Sequence, residues 1–256
     1  MHSMTAALGA TRRARRPAQH GLPPGALALL LFVLVWALAL AGCESRPEAI
    51  QPAASPPAQP AASPQGTPAV ATPATQPTVL FLGDSLTAGF GLPADQAYPA
   101  LLTERIQAAG GYRVVNAGVS GDTSAGGLNR LDWLLRQRVD VMVLALGAND
   151  GLRGLPVAAL RANLAQIIEK ARARKIRVVL AGIQIPANYG AAYTREFAAV
   201  YPALAEQYGL PLVPFLLEGV AMHPKLNLPD GIHPNEQGQQ IVAANVWAVL
   251  EGVLRE

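Results

Sequence analysis

The chain has 256 residues, of which 51% are hydrophobic and 14% are charged, so it is long enough for one or two folded domains. Its formal net charge of +3 comes from the first 77 residues, because residues 78–256 contain fifteen basic and fifteen acidic side chains. Nucleic-acid binding needs clustered basic charge on the folded surface, so we expect none here. The single cysteine, Cys43, excludes an intramolecular disulfide and a zinc site built from several cysteines.

Residues 1–43 have the layout of an export signal. Four arginines between positions 12 and 16 precede an uncharged run from Gly25 to Gly42 that is dominated by Leu, Ala and Val. The run ends in Leu40-Ala41-Gly42-Cys43, which resembles the bacterial lipobox, in which the cysteine is lipidated and becomes the new N-terminus. We therefore expect lipidation at Cys43 and membrane attachment through it.

Two interpretations of this segment remain open. A lipid on Cys43 would hold the protein in the cell envelope, facing the periplasm, and Glu44 after the cysteine favours the outer membrane. Alternatively, the 18 apolar residues stay uncleaved and anchor the chain in the inner membrane. Both place the rest of the chain outside the cytoplasm, because the positive end of the segment stays inside.

Residues 44–77 are composed almost entirely of Pro, Ala, Ser, Gln and Thr, and nine of them are prolines. This composition offers too little bulky apolar surface to offset the entropy of ordering, so it predicts a disordered tether. Fully extended as polyproline, the tether would reach roughly 100 Å. Residues 78–256 then form a single domain, which we expect to be monomeric.

Short β-rich apolar runs alternate with longer amphipathic runs in this domain. The predicted strands are 79–82, 113–116, 141–146, 177–183 and 212–213, and the predicted helices are 98–108, 128–138, 157–174, 194–207 and 235–254. We expect Asn235 to cap the last helix. The alternation predicts an α/β fold in which a parallel sheet carries helices on both faces.

Polar residues and glycines gather where these strands end. The segments are Gly83-Asp84-Ser85-Leu86, Ser120-Gly121-Asp122-Thr123, Gly147-Ala148-Asn149-Asp150 and, after a long loop, Asp230-Gly231-Ile232-His233-Pro234. Ligand sites in parallel sheets form beyond the carboxyl ends of the strands. We therefore expect the four segments to lie close together.

The four segments supply the groups that nucleophilic catalysis requires. Ser85 directly follows the first strand, and a serine nucleophile needs a base within hydrogen-bond reach. Asp230 and His233 are three residues apart, so one turn can bring the carboxylate toward the imidazole. Negative charge on an attacked carbonyl needs fixed donors, which Gly121 can offer through its backbone N–H and Asn149 through its amide.

Each segment also has a purely structural interpretation. Asp84 or Ser85 could cap a helix, and Asn149-Asp150-Gly151 and Asp230-Gly231 are common turn sequences. Four such segments at strand ends, in compatible roles, favour a catalytic site. Histidines and carboxylates show no metal-ligand spacing, so we expect no metal and no other cofactor.

Together the four segments resemble the sequence blocks of the GDSL or SGNH hydrolases. Residues 120–124, 149–154 and 185–190 resemble more closely the branch of bacterial thioesterase I, lysophospholipase and arylesterase, and the likeness spans residues 79–250. This resemblance implies a three-layer, flavodoxin-like fold with about five parallel strands. One departure is Ala148, because a glycine often stands at that position in the family.

The resemblance also implies roles for individual residues. Ser85 would be the nucleophile, His233 the base and Asp230 the residue that orients the base. The oxyanion hole would consist of the Ser85 and Gly121 N–H groups and the Asn149 side chain.

The resulting hypothesis is a serine ester hydrolase that acts through an acyl-enzyme. Its substrates would be carboxylic esters or thioesters with short to medium acyl chains, including aryl esters and lysophospholipids. The residues expected to contact the substrate are Leu152, Leu155, Ile185 and Pro186. Two alternatives stay open, namely a deacetylase of cell-wall or polysaccharide sugars and a non-catalytic lipid-binding lipoprotein.

Overall fold

The computed structural model describes residues 76–256. The predicted export signal, Cys43 and nearly all of the predicted tether lie outside the described residues. Across positions 76–256, no helix is long and apolar enough to cross a membrane.

Five strands form one parallel sheet. They are β1 (Thr78–Gly83), β2 (Arg113–Gly118), β3 (Val141–Ala145), β4 (Arg177–Ala181) and β5 (Leu212–Val213). Their order in the sheet is β2-β1-β3-β4-β5, and every paired neighbour runs parallel. This is the flavodoxin-like order, so the predicted fold class is confirmed. The direction of winding reverses between β1 and β3, which is where ligand sites form in such sheets.

The described part of the chain contains eight α-helices. They are α1 (Ser85–Ala88), α2 (Tyr98–Leu101), α3 (Thr103–Gly110), α4 (Ser124–Leu134), α5 (Ala148–Leu152), α6 (Val157–Ala173), α7 (Ala191–Tyr208) and α8 (Glu236–Arg255). Helices α2, α3 and α8 pack together, and α6 packs between α4 and α7. The two groups of helices are the outer layers of the three-layer fold.

The core lies between the sheet and these helices. Every residue of β1 and β3 is buried, which confirms the prediction that the apolar run 141–146 is covered on both faces. Helix α6 buries Leu160, Leu164 and Ile167, which recur at helical spacing. Full burial of each such side chain stabilises the fold by about 1.5–3 kcal/mol. The sheet is therefore a rigid base for the loops at its carboxyl edge.

Several boundaries differ from the sequence prediction. The helix expected over 128–138 begins at Ser124, because the Thr123 side chain accepts a hydrogen bond from the Gly126 N–H and caps it four residues earlier. The helix expected over 98–108 is divided at Leu102 into α2 and α3. The strands expected over 141–146 and 177–183 end one and two residues early.

The start of the last helix agrees with the sequence prediction. The Asn235 side chain accepts a hydrogen bond from the Gly238 N–H at 3.1 Å and caps α8.

Candidate active site

Ser85 lies where β1 passes directly into α1. Asp84 caps this short helix, because its Oδ1 atom accepts the Leu86 N–H at 3.0 Å. Gly83 is required before it, since a Cβ there would lie 1.9 Å from Thr87 Oγ1. The capping interpretation thus applies to Asp84, which leaves the Ser85 hydroxyl available for other contacts.

His233 connects Ser85 to Asp230. Its Nε2 atom lies 2.9 Å from Ser85 Oγ, and its Nδ1 atom lies 2.7 Å from Asp230 Oδ2. An ionised carboxylate can only accept hydrogen bonds, so the proton belongs on Nδ1 and Nε2 is left to accept from the Ser85 hydroxyl. The side chain of His233 is 18% exposed, so solvent and substrate can reach this pair.

The Asp230 carboxylate is held in its ionised form. Its Oδ1 atom accepts the backbone N–H groups of Ile232 and His233 at 2.9 and 3.0 Å. Desolvation raises the pKa of Asp230, but the hydrogen bonds from the His233 backbone and ring and from the Ile232 backbone outweigh it, and the pKa falls to about 2. Asp230 therefore keeps its charge throughout the neutral range.

The His233 ring also has an aromatic neighbour that the sequence does not indicate. The ring of Phe90 packs against it with centroids 4.4 Å apart and planes 35° apart. The His233 carbonyl accepts the Leu228 N–H at 2.7 Å, which fixes the backbone of the same loop. The contact with Phe90 limits the rotation of the imidazole away from Ser85.

Asn149 belongs to the first turn of α5. One N–H of its amide donates to the Asp122 carbonyl at 2.9 Å, and a primary amide carries a second N–H that can serve another acceptor. Asn149, Ser85 and His233 all line the same cavity. The amide therefore lies beside the serine that the sequence analysis singled out.

Gly121 lies in a tight turn next to Asn149. The Asp122 N–H donates to the Val119 carbonyl at 3.0 Å, and Gly121, the third residue of this turn, has a φ of 82°. These features define a type II turn, which favours glycine at that position. Gly121 itself does not line the cavity, but the carbonyl of the next residue is the one that holds the Asn149 amide.

A cavity of about 180 Å³ opens beside Ser85 and has mostly apolar walls. Of the residues expected to contact substrate, Leu152, Ile185 and Pro186 line it. Leu155 does not line the cavity, because Gly154, with a φ of 62°, reverses the chain before it. The Leu155 carbonyl accepts a hydrogen bond from the Tyr193 hydroxyl at 2.7 Å. Further lining residues that the sequence analysis did not identify are Ile183, Gln184, Phe215, Leu217, Ala221 and Met222.

Buried charge lies beneath the site. Asp84 is fully buried, and burial raises its pKa to about 7 against the hydrogen bond from Leu86. Arg130 donates to Asp122 Oδ2 at 2.7 Å and to the Gly83 carbonyl at 3.0 Å, which connects the end of β1 to the turn that carries Gly121.

Within residues 76–256, no group of three or more His, Cys, Asp or Glu side chains is arranged to hold a metal ion.

Comparison with known proteins identifies a family and close relatives. Residues 81–241 match the GDSL-like Lipase/Acylhydrolase family. The chain is 48% identical over 179 residues to Esterase TesA of Pseudomonas aeruginosa. The aligned region covers 69% of this chain and 89% of that protein. It is 45% identical over 167 residues to the Escherichia coli (strain K12) protein named Thioesterase 1/protease 1/lysophospholipase L1, with 65% and 79% covered.

The fold has a solved counterpart. A crystal structure of TesA is 48% identical in sequence and superimposes with a TM-score of 0.66, covering 69% of this chain and 99% of that one.

Proposed function

Because the chain belongs to the GDSL-like lipase/acylhydrolase family and is a carboxylic ester hydrolase, we propose that it acts through an acyl-enzyme on Ser85. The observation that carries this proposal is the hydrogen-bonded chain from Asp230 through His233 to Ser85. A serine hydroxyl is a weak nucleophile until a base takes its proton, and His233 Nε2 lies within reach of it.

The proposed reaction has two halves. Ser85 Oγ attacks the carbonyl carbon while His233 Nε2 takes the hydroxyl proton, and the imidazolium then gives this proton to the departing alkoxide or thiolate. Water attacks the resulting acyl-enzyme with His233 again as base, which releases the carboxylic acid and restores Ser85. Asp230 stays ionised throughout and stabilises the imidazolium.

Three donors are proposed to stabilise the tetrahedral intermediate. The Ser85 N–H lies in the first turn of α1 and has no intrahelical partner. Gly121 would contribute its backbone N–H, and Asn149 the amide N–H that the Asp122 carbonyl does not use. Donors fixed before the reaction need no reorganisation when charge develops, which is why they lower the barrier.

The cavity supports an acyl chain as the group bound beside Ser85. Its walls include Leu152, Ile185, Pro186 and Leu217, and Phe215 is the one aromatic ring besides His233 among the lining residues. Sugar binding usually relies on aromatic platforms, so the walls favour an acyl chain over a polysaccharide. We propose esters, thioesters and lysophospholipids with short to medium acyl chains, in line with the names of the two relatives.

The location of the enzyme is proposed from the sequence alone. Lipidation of Cys43 would anchor the chain in the cell envelope, and residues 44–77 would let a monomeric domain face the periplasm at a distance from the membrane.

Replacement of the nucleophile tests the mechanism. We expect Ser85→Ala to keep its melting temperature and to lose nearly all hydrolysis of p-nitrophenyl esters from acetyl to decanoyl, because within residues 76–256 Ser85 is the serine that is hydrogen-bonded to a histidine. A fluorophosphonate probe should label Ser85 in the parent protein. Labelling at Ser120 or Ser124 would contradict the assignment, and faster hydrolysis of an acetylated sugar than of any aryl ester would favour the deacetylase.

A further inference from the structure

The two proposed donors outside α1 lie on separate segments, the Gly121 turn and helix α5, and two hydrogen bonds join these segments. Asn149 Nδ2 donates to the Asp122 carbonyl at 2.9 Å, and Arg153 Nη2 donates to the Gly121 carbonyl at 2.8 Å. The accepting carbonyls belong to consecutive residues of one turn. The two side chains that donate to these carbonyls, Asn149 and Arg153, are four residues apart in α5 and at its C-terminal end.

The two ends of the Gly121 turn are anchored, because the Val119 N–H donates to the Gly83 carbonyl at 3.1 Å and Arg130 donates to Asp122 Oδ2 at 2.7 Å, but its tip has little packing. Residues 119–121 are exposed, and Val119 keeps 45% of its accessible surface. A Cβ placed on Gly121 would find a single heavy atom within 4 Å among its non-adjacent neighbours, namely Arg153 Nη2 at 3.7 Å. Since side-chain packing does not fix the tip of this turn, the Gly121 peptide depends on the hydrogen bond that its carbonyl accepts from Arg153.

Arg153 extends from a backbone that is itself fixed. The Gly154 N–H donates to the Gly151 carbonyl at 3.0 Å, and the Leu155 N–H donates to the Asp150 carbonyl at 2.9 Å. With Gly154 in the left-handed region, these two bonds form the Schellman motif that ends α5 at Arg153.

Two tyrosines fasten the same helix end from the other side. The Tyr189 hydroxyl donates to the Leu152 carbonyl at 2.9 Å, and the Tyr193 hydroxyl donates to the Leu155 carbonyl at 2.7 Å. Tyr193 is part of α7, so the end of α5 is attached to a long helix of the outer layer. A long arginine side chain on a fixed backbone can hold the exposed tip of this turn.

We infer that Arg153 is a positioning residue of the oxyanion hole, which rests on the proposed function. Its guanidinium holds the Gly121 turn at a set distance from Asn149, so that both donors meet the same oxygen. Because this effect belongs to the transition state, losing Arg153 should lower kcat more than it raises KM.

The test compares Arg153→Ala and Arg153→Lys with the parent enzyme, and uses Arg195→Ala as a matched control, since Arg195 is exposed on α7. We expect kcat for p-nitrophenyl butyrate to fall about tenfold in Arg153→Ala, less than the roughly 10²–10³-fold loss on removing a donor itself. KM should change by less than about twofold. Arg153→Lys keeps the charge and a hydrogen-bond donor, so its kcat should lie between those of Arg153→Ala and the parent enzyme. The kcat and KM of Arg195→Ala should match those of the parent enzyme.

An inhibitor pair separates positioning from a general loss of structure. Butylboronic acid forms a tetrahedral anion on the serine, so its inhibition constant should rise by about the factor by which kcat falls. Butyramide, an uncharged analogue of the ground state, should bind all variants equally. Equal weakening of both inhibitors, in Arg153→Lys as well as in Arg153→Ala, would overturn the inference.

Two further outcomes would also overturn it. If Arg153→Ala raised KM only for butyryl-coenzyme A and left kcat on the aryl ester unchanged, Arg153 would bind the phosphates of the leaving group instead. Parent-like kinetics of Arg153→Ala on both substrates would show that the turn needs no support from Arg153. The proposed function is tested independently of Arg153, because it requires Ser85→Ala to be inactive. An active Ser85→Ala variant would overturn the proposed function itself.

Discussion

Replacement of Asn149 by alanine tests the chemistry of the site most directly. Asn149 lines the cavity with Ser85, and its amide is already oriented by the Asp122 carbonyl at 2.9 Å. Loss of one preorganised donor lowers kcat by about 10²–10³, or roughly 3–4 kcal/mol. The donor acts on charge that develops only in the transition state, so we expect KM to change by less than about threefold. The lost bond to Asp122 should cost only about 1 kcal/mol of folding free energy.

Steady-state kinetics on p-nitrophenyl butyrate, with thermal melts, measure both quantities. Asp150→Asn is the matched control on the same helix, because Asp150 accepts the Ser124 N–H and hydroxyl at 2.7 and 2.6 Å and does not line the cavity. It should lower the melting temperature and leave kcat within about threefold. A large rise in KM at full kcat in Asn149→Ala would refute the reasoning, because Asn149 would then position the substrate instead of stabilising the transition state.

Two further predictions concern Asp84 and Cys43. The pKa of the buried Asp84 is raised from 3.8 to about 7, mainly by desolvation, so the unfolded chain releases this proton at a lower pH than the folded chain. The free energy of unfolding therefore falls by up to about 4 kcal/mol as the pH rises between these two values. Asp84→Asn keeps the oxygen that caps α1 and should remove this decline, which urea unfolding from pH 4 to 8 can measure. If the free energy of unfolding fell with pH as steeply in Asp84→Asn as in the parent protein, the prediction would be wrong. Cys43→Ser should abolish lipid labelling and leave kcat on soluble aryl esters unchanged, whereas a several-fold loss would place the N-terminal segment in the site.

Long periodic elements could be predicted from the sequence, and the shortest ones could not. Helix α6 was expected over 157–174 and is Val157–Ala173, because its apolar spacing alone determines which face is buried. Helices α1 and α5 have four and five residues, too few to show a period. They form because Asp84 caps one and the glycine at 154 ends the other, and these two helices carry Ser85 and Asn149.

The walls of the cavity were the least predictable part of the site. Residues that follow strand ends, such as Ser85 and Asn149, could be identified because every parallel strand delivers its carboxyl end to one edge. Phe215 and Met222 follow β5 through an irregular loop, in which Met222 has a positive φ of 65° that sequence does not indicate. Leu155 has the expected apolar side chain, but the left-handed Gly154 turns it out of the cavity.

The nucleophile and its base are 148 residues apart, so their contact depends on how α8 is attached to the start of the domain. Gln239, in the first turns of α8, is 1% exposed; its Oε1 atom accepts the Tyr98 N–H at 2.9 Å, and its Nε2 atom donates to the Leu86 carbonyl at 3.4 Å. One buried side chain thus joins the helix that begins with Ser85 to the helix that follows His233. A buried amide that lost these partners would cost about 1–3 kcal/mol, so the link resists displacement of α8. The distance between Ser85 and His233 is therefore set by the buried interior beneath them as well as by their own hydrogen bond.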